Sequence, residues 1–125
     1  MIELLIRRYY EAYNATDEAA LANILDPDVT LTSATGTQSG RDAYLGTFRY
    51  MTANFTDRME PLSIAVSGDR ATVHIRDTLT ALNDVADFLG QSLQKGQEIV
   101  LYLIGIYTVR DNRIVAIEIR ASTWA

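Results

Sequence analysis

The sequence predicts an α+β fold in which helices pack on one face of a bent, mostly antiparallel sheet. In the first part of the chain, apolar residues recur with the helical period, as from Ile2 to Tyr13. Beyond Asp57, polar and apolar residues alternate with a period of two. Helices followed by hairpin-connected strands are typical of the α+β class. We expect the covered face of the sheet to enclose a cavity.

Composition limits the possible functions. The 125 residues predict a single domain, 1–125, because domains commonly span about 100–200 residues. A net charge of −5 argues against nucleic-acid binding. The chain has no cysteine and only one histidine, which excludes thiol catalysis and multi-histidine metal centres. A site made of carboxylates alone stays open but has no support in the sequence, so we expect no metal and no cofactor.

The hydropathy pattern gives no indication of a membrane protein. The longest apolar run, Ile99–Val109, is shorter than the roughly 20 residues that a membrane-spanning helix needs. The N-terminal residues lack the charge order of an export signal. We therefore expect a cytoplasmic protein without a membrane partner.

Three helices are predicted from local signals. The first carries its apolar face from Ile2 to Tyr13, and Thr16 is the predicted N-cap of a second helix that ends at Asp26-Pro27. Ser39 is the predicted N-cap of the third helix. The apolar stripe of that helix consists of Tyr44, Leu45, Phe48, Met51 and Phe55.

The strands are predicted from alternation. A short strand spans Asp28–Ser33, a second covers 62–66, and a long alternating one covers Ala71–Ala81. Ile99–Val109 is apolar on both faces, as in a central strand, and Ile114–Thr123 is the last strand.

The connection at 83–97 is longer than an ordinary hairpin loop. Its apolar residues have the spacing of a short helix: Val85, Phe88, Leu89 and Leu93. Such a helix would serve as a lid over the cavity or as part of a dimer contact. The alternative is an extended strand pair with a wide loop.

Asp77 is the most informative position for chemistry. It alternates with Val73, Ile75 and Leu79 and therefore belongs to an apolar face. A carboxyl group there is costly unless it is paired or functional, and burial would raise its pKa towards that of a useful acid or base. The alternatives are an ion pair with Arg76 or Arg120 at the strand end, or a bulge that turns the side chain to solvent.

Two tyrosines of the first helix are candidates for the same cavity. Tyr9 and Tyr13 are four residues apart, so their hydroxyl groups share a helix face. Plain core packing is the alternative. Tyr10 is expected at a neighbouring edge. By alternation, Ser33 faces the cavity from the first strand.

The opposite face of the sheet is expected to form a homodimer. It carries His74 with Thr72 and Thr78, and the central strand adds Tyr102, Ile104 and Ile106 to it. An exposed apolar strip of this kind typically marks an interface. We expect the imidazole of His74 to lie on that surface rather than in a catalytic site.

Four segments, in this order, carry a family resemblance: Tyr9–Asp17, Leu25–Val29, Gly40–Ala43 and the closing hairpin Tyr107–Ala121. Together they resemble the nuclear-transport-factor-2-like (NTF2-like) superfamily, in particular its SnoaL-like polyketide cyclase and ketosteroid isomerase branch. The resemblance implies a cone-shaped, cystatin-like α+β fold with a deep pocket between helices and sheet, and a homodimer.

The resemblance also suggests residue roles. The tyrosine that donates to the oxyanion in the isomerase branch corresponds to Tyr9, while the positions of its two acidic groups hold Ser33 and Gly105. The acid of the limonene-epoxide-hydrolase-like branch corresponds to Asp77, but Ile75 replaces the arginine of that branch. The catalytic sets of these branches are therefore not retained intact.

The sequence thus predicts a protein that binds a small, hydrophobic, cyclic or polyketide-like molecule. Asp77 and Tyr9 are the predicted catalytic residues of an isomerase, cyclase or hydrolase. The predicted substrate-binding residues are Tyr13, Ser33, Tyr107 and Phe88. A non-catalytic binding module or a dimeric assembly module of the same fold remains the alternative.

Overall fold

The structure, a computed structural model, describes residues 1–122. Within them the chain forms three helices and eight strands. The helices are α1 (Ile2–Asn14), α2 (Glu18–Ile24) and α3 (Arg41–Asn54). The strands are β1 (Leu25–Ser33), β2 (Gly36–Ser39), β3 (Phe55–Ser67), β4 (Arg70–Ala81), β5 (Val85–Phe88), β6 (Gln91–Leu93), β7 (Glu98–Arg110) and β8 (Arg113–Ala121).

Six strands form one sheet in the order β2-β1-β8-β7-β4-β3. Neighbouring strands are antiparallel, except that β1 and β8 run parallel. The helices pack on one face, with α1 against β3 and β4 and α3 against β1 and β3. We call this the inner face, and it carries the buried side chains of Val73, Ile75 and Asp77. The predicted fold class is confirmed.

The apolar interior is divided into two clusters. The main core lies between the helices and the inner face and includes Ile6, Leu21, Val73 and Ile117. The second cluster, here called the hairpin cluster, joins the β5–β6 hairpin to the adjoining ends of β3 and β4. Its buried members are Phe55, Leu79, Ala81, Val85 and Leu93.

The segment 83–97 contains a two-stranded hairpin, so the predicted helix is wrong. The segment is extended, as in the alternative, but a tight turn rather than a wide loop joins its two strands. Val85 pairs with Leu93 across the hairpin, which places both side chains in the hairpin cluster. The chain turns at Leu89 and Gly90, both with positive φ, and the N–H of Gly90 donates to Asp87.

Several predicted boundaries also change. The strand β1 begins at Leu25 rather than Asp28, and β2 occupies a segment without a predicted strand. Asp17, not Thr16, is the N-cap of α2, because its carboxylate accepts the N–H of Ala20. Gly40, not Ser39, precedes α3. Thr123 lies outside the described residues.

None of the three helices described within residues 1–122 combines the length and the hydropathy that a membrane span requires. The same part of the chain contains no group of three or more acidic or histidine side chains placed to hold a metal ion.

Candidate functional site

Two aspartates lie together on the inner face. In the antiparallel register, Asp57 of β3 is opposite Leu79 and Asp77 of β4 is opposite Met59, so the two aspartates are diagonal neighbours. Both are buried, with 9% of Asp57 and 3% of Asp77 exposed. We refer to them as the aspartate pair. It lies where the main core meets the hairpin cluster, because Ile75 belongs to the first and Leu79 to the second.

The hydrogen bonds of the pair are incomplete. The Tyr13 hydroxyl donates to Asp57 Oδ2 at 2.6 Å. Asp57 Oδ1 and Asp77 Oδ1 are buried and, apart from the hydrogen bond between the two carboxyl groups, neither has a partner among the described residues. Burying an acceptor without a donor costs free energy. The two Oδ1 atoms therefore favour a shared proton or a hydrogen-bond donor from a ligand.

The pair holds a proton at neutral pH. Burial is the largest effect and, with the hydrogen bond to Asp57 and the negative charge of Asp57, raises the pKa of Asp77 to about 9. Two carboxyl groups in contact cannot both ionise readily. Asp77 is therefore an O–H donor near pH 7, and this property suits it to act as a general acid.

Five buried tyrosines, here called the tyrosine cluster, fill the core next to the pair: Tyr9, Tyr10, Tyr13, Tyr44 and Tyr107. The hydroxyl of Tyr9 bonds that of Tyr44, and the hydroxyl of Tyr10 bonds that of Tyr107 at 2.6 Å. Burial raises the pKa of each of these phenols well above its usual value. All five are therefore neutral hydroxyl groups able to donate hydrogen bonds.

Gly105 makes room for one of these rings. A Cβ atom at this position would lie 2.8 Å from Cε2 of Tyr107 and 3.1 Å from its hydroxyl oxygen. The phenol of Tyr107 thus folds back over the glycine, and its hydroxyl occupies the space that a side chain at 105 would fill.

Part of the inner face is not fully covered. The helices pack mainly on β1, β3 and β4, and several apolar side chains of this face stay half-buried, among them Leu31, Leu101, Leu103 and Ile119. Leu103 and Ile119 lie on central strands, so their exposure reflects incomplete helical cover. We call these four residues the open inner face. Leu101 pairs with Asp77, which places this surface beside the aspartate pair.

Four of the six predicted site residues come together. Tyr9, Tyr13 and Tyr107 all belong to the tyrosine cluster, and Asp77 adjoins it through Asp57. The predicted position of Tyr10 at an edge is wrong, because it is 2% exposed and bonded to Tyr107.

The other two predicted site residues lie apart from the cluster. Ser33 is at the end of β1, and its hydroxyl bonds that of Thr35 at 3.0 Å. Phe88 packs on Phe55 in the hairpin cluster, with ring centroids 4.9 Å apart.

Both alternative explanations for Asp77 are wrong: its side chain is buried, 3% exposed, and no bulge turns it to solvent. Arg76 pairs with Glu60, and Arg120 pairs with Glu118. Neither arginine therefore forms an ion pair with Asp77.

Sequence reasoning missed Asp57 and Tyr44. The alternation of Phe55, Asp57 and Met59 with polar residues contains the same signal that identified Asp77. It was overlooked because the predicted strand began too late. The position of Tyr44 in an apolar helical stripe was found, but that pattern does not show that its hydroxyl meets Tyr9.

The family can now be assigned. Residues 6–117 match the SnoaL-like domain family. The chain belongs to this family. No curated protein shows significant sequence similarity to it.

Solved structures support the same fold. A candidate polyketide cyclase from Pseudomonas putida KT2440 superposes with a TM-score of 0.82 at 22% identity, covering 95% of this chain and 90% of that one. An epoxide hydrolase of the LEH-like type from M. tuberculosis gives 0.76 at 13% identity, covering 96% and 81%. A Catenulispora acidiphila protein with a ketosteroid isomerase-like fold, solved in complex with trimethylamine, gives 0.77 at 16% identity, covering 95% and 85%.

Proposed function

We propose that this SnoaL-like protein binds a small, largely hydrophobic molecule on the open inner face and acts on it by acid–base chemistry. Asp77 is the proton donor of the proposed reaction, and Tyr9 polarises an oxygen of the substrate. The substrate is a cyclic or polyketide-like compound, and the reaction is an isomerisation, cyclisation or hydrolysis. We propose that the protein is cytoplasmic.

The observation that carries this proposal is the burial of Asp77, 3% exposed, beside a second carboxyl group, Asp57. A carboxyl group with a pKa of about 9 keeps its proton at neutral pH, and an acid with a pKa near the working pH transfers it efficiently. Asp57 supports this state by its charge and its hydrogen bond. The open inner face lies next to Asp77 and supplies apolar surface for the substrate.

Tyr9 fits the second role because its hydroxyl is held in place. Tyr44 bonds it, and both side chains are at most 5% exposed. A fixed neutral donor in a dry environment stabilises negative charge that develops on a substrate oxygen. Tyr13 donates to Asp57 and so positions the aspartate pair rather than the substrate.

A second candidate function is a non-catalytic binding or assembly module. It is favoured by the close packing of the core, since every residue of the tyrosine cluster is at most 6% exposed. In that case the aspartates and tyrosines would serve as a hydrogen-bonded core, and only the open inner face would meet a ligand.

Turnover by an Asp77→Asn variant distinguishes these candidates. Purified protein is incubated with enolisable cyclic ketones and with cyclic epoxides, and products are followed by mass spectrometry. The substitution keeps the shape and removes the acidic proton, so we expect turnover to fall by about 10²-fold or more with ligand affinity retained. Glu60→Gln, which changes a carboxylate paired with Arg76, is the matched control. Binding without turnover by the wild type would favour the binding module.

A further inference from the structure

The aspartate pair is a buried negative charge without a cation. Outside Arg41 and Arg76, every lysine and arginine in residues 1–122 is exposed. The guanidinium group of Arg41 donates hydrogen bonds to two backbone carbonyl groups, and that of Arg76 forms an ion pair with the carboxylate of Glu60. Side chains alternate along β4, so His74 lies on the opposite face of the sheet from Asp77. None of these groups compensates the pair.

The buried oxygens of the pair lack donors outside the pair. Asp57 Oδ1 and Asp77 Oδ1 are buried and, apart from the hydrogen bond between the two carboxyl groups, neither has a partner among the described residues. A proton shared by the two groups meets part of this need, but the pair as a whole stays anionic. In a dry site a cation that also donates hydrogen bonds is favoured over a neutral donor of the same shape.

The surroundings suit such a cation. Besides Asp57 and Asp77 themselves, the titratable groups that interact with the pair are Tyr9, Tyr10 and Tyr13 of α1. All the tyrosines are neutral, so none repels a positive charge. Aromatic rings also attract an organic cation through their faces.

We propose that this site also takes a ligand with a protonated amine, which the Asp57–Asp77 pair binds in place of the proton that the two carboxyl groups share. The hydrocarbon part of the ligand lies on the open inner face, next to Leu101 and Leu103. This inference rests on the proposed function for the location of the site and adds a second class of ligand. Because Asp77 gives up its proton when the amine binds, the amine occupies the site in place of the substrate and is not protonated by Asp77.

Proton exchange gives this proposal a distinctive pH dependence. When the ammonium group binds, Asp77 ionises and its proton goes to the solvent. Because the pKa of Asp77 is about 9 in the free protein, affinity for an amine that stays protonated rises with pH towards that value. Linkage of one proton corresponds to a change of nearly tenfold in Kd per pH unit.

The test compares cyclohexylamine with cyclohexanol, a neutral donor of similar shape, by calorimetry and NMR. We expect the wild type to bind the amine at least tenfold more tightly at pH 7 and to release close to one proton per amine, measured in two buffers of different ionisation enthalpy. Asp77→Asn keeps the charge of Asp57 but has no proton to release, so its amine affinity becomes independent of pH. The Asp57→Asn, Asp77→Asn double variant loses the preference for the amine, while Glu60→Gln retains it.

Several results would overturn the proposal: equal affinity for both compounds, no amine binding, no proton release, or a preference that persists in the double variant. Thermal melts and NMR spectra establish that each variant is folded. Binding of cyclohexanol without a preference for the amine refutes the cationic ligand but leaves the small-molecule site intact. Absence of binding by both compounds and by the ketones and epoxides refutes the proposed function as well.

Discussion

The hydroxyl of Tyr13 on α1 donates a hydrogen bond of 2.6 Å to Asp57 Oδ2 on β3. This bond ties the first helix to the sheet and satisfies one oxygen of a buried carboxyl group. It also stabilises the negative charge on Asp57, and that charge is one cause of the raised pKa of its neighbour Asp77. A tyrosine on a helix thus influences which aspartate of the pair holds the proton.

Asp77 is expected to make stability fall as pH rises. Its pKa is about 9 in the folded chain and about 3.9 in an unfolded one, so the folded state binds an extra proton between these values. The resulting stabilisation is complete at the acidic end and is lost as pH rises through the folded-state pKa. Asp77→Asn should reduce the slope of the free energy of unfolding against pH by up to about 1.4 kcal/mol per pH unit. Denaturant unfolding between about pH 5 and pH 8 measures this, with the exposed Asp28→Asn as control. An unchanged slope would contradict the raised pKa.

Tyr13→Phe is expected to destabilise the fold by about 1–3 kcal/mol, because a buried carboxylate oxygen loses its donor. It should also lower the pKa of Asp77, since Asp57 then competes for the shared proton. Chemical denaturation gives the first quantity and carboxyl-carbon NMR the second. Tyr50→Phe, at a residue 49% exposed, controls for loss of a hydroxyl. An Asp77 pKa that does not move would show that Tyr13 does not act on the pair.

The inward position of Asp77 could be predicted because buried and more exposed residues alternate along β4 without a break, so every second side chain lies on the inner face. The helical period of α1 likewise identified Tyr9 and Tyr13. The helical period did not distinguish the position of Tyr10 from that of Tyr9, because two adjacent residues can both lie on the wide buried face of a helix. Which hydroxyl groups meet depends on the contact of α1 with α3 and β7, and no local pattern encodes that.

The hairpin at 83–97 was mispredicted for a related reason. The apolar spacing from Val85 to Leu93 fits a short helix, but two strands that face each other also bring these ends together. The signal that decides is the turn, where Gly90 has a φ of 81° and its N–H donates to Asp87. Asp57 was missed because β3 starts directly after α3, without an intervening loop.

Gly105→Ala is expected to destabilise the fold by about 1–3 kcal/mol through overpacking. The new methyl group would lie 2.8 Å from the ring of Tyr107, so the ring must shift and its hydrogen bond to Tyr10 is lost. Thermal and denaturant unfolding measure the effect. Gly46→Ala on α3, where nothing lies within 4 Å, is the control and should be neutral or stabilising by up to about 1 kcal/mol. Equal effects at the two positions would contradict the close approach of Tyr107.

The outer face of the sheet predicts a homodimer. Tyr102, Ile104 and Ile106 are half-buried in the single chain and lie on the face opposite to the helices. An apolar strip on an uncovered sheet is typical of an interface. We expect a dimer at micromolar concentration by sedimentation, and Ile104→Glu should shift it to the monomer. Leu4→Glu, at a residue 58% exposed on α1, should leave the dimer unchanged. A monomeric wild type would refute this interface.

Phe88 is expected to hold the β5–β6 hairpin against the rest of the protein. Its ring packs on that of Phe55 with centroids 4.9 Å apart, and such a pair contributes about 0.5–1.5 kcal/mol. Phe88→Ala should therefore accelerate amide exchange in residues 85–93 by up to roughly tenfold. Exchange in the main core should change much less, because the hairpin belongs to a separate cluster. Leu89→Ala, at a residue 61% exposed, is the matched control. If Phe88→Ala instead accelerated exchange equally in the hairpin and in β4, the two clusters would unfold as one unit, and the hairpin could not open separately to admit a ligand to the aspartate pair.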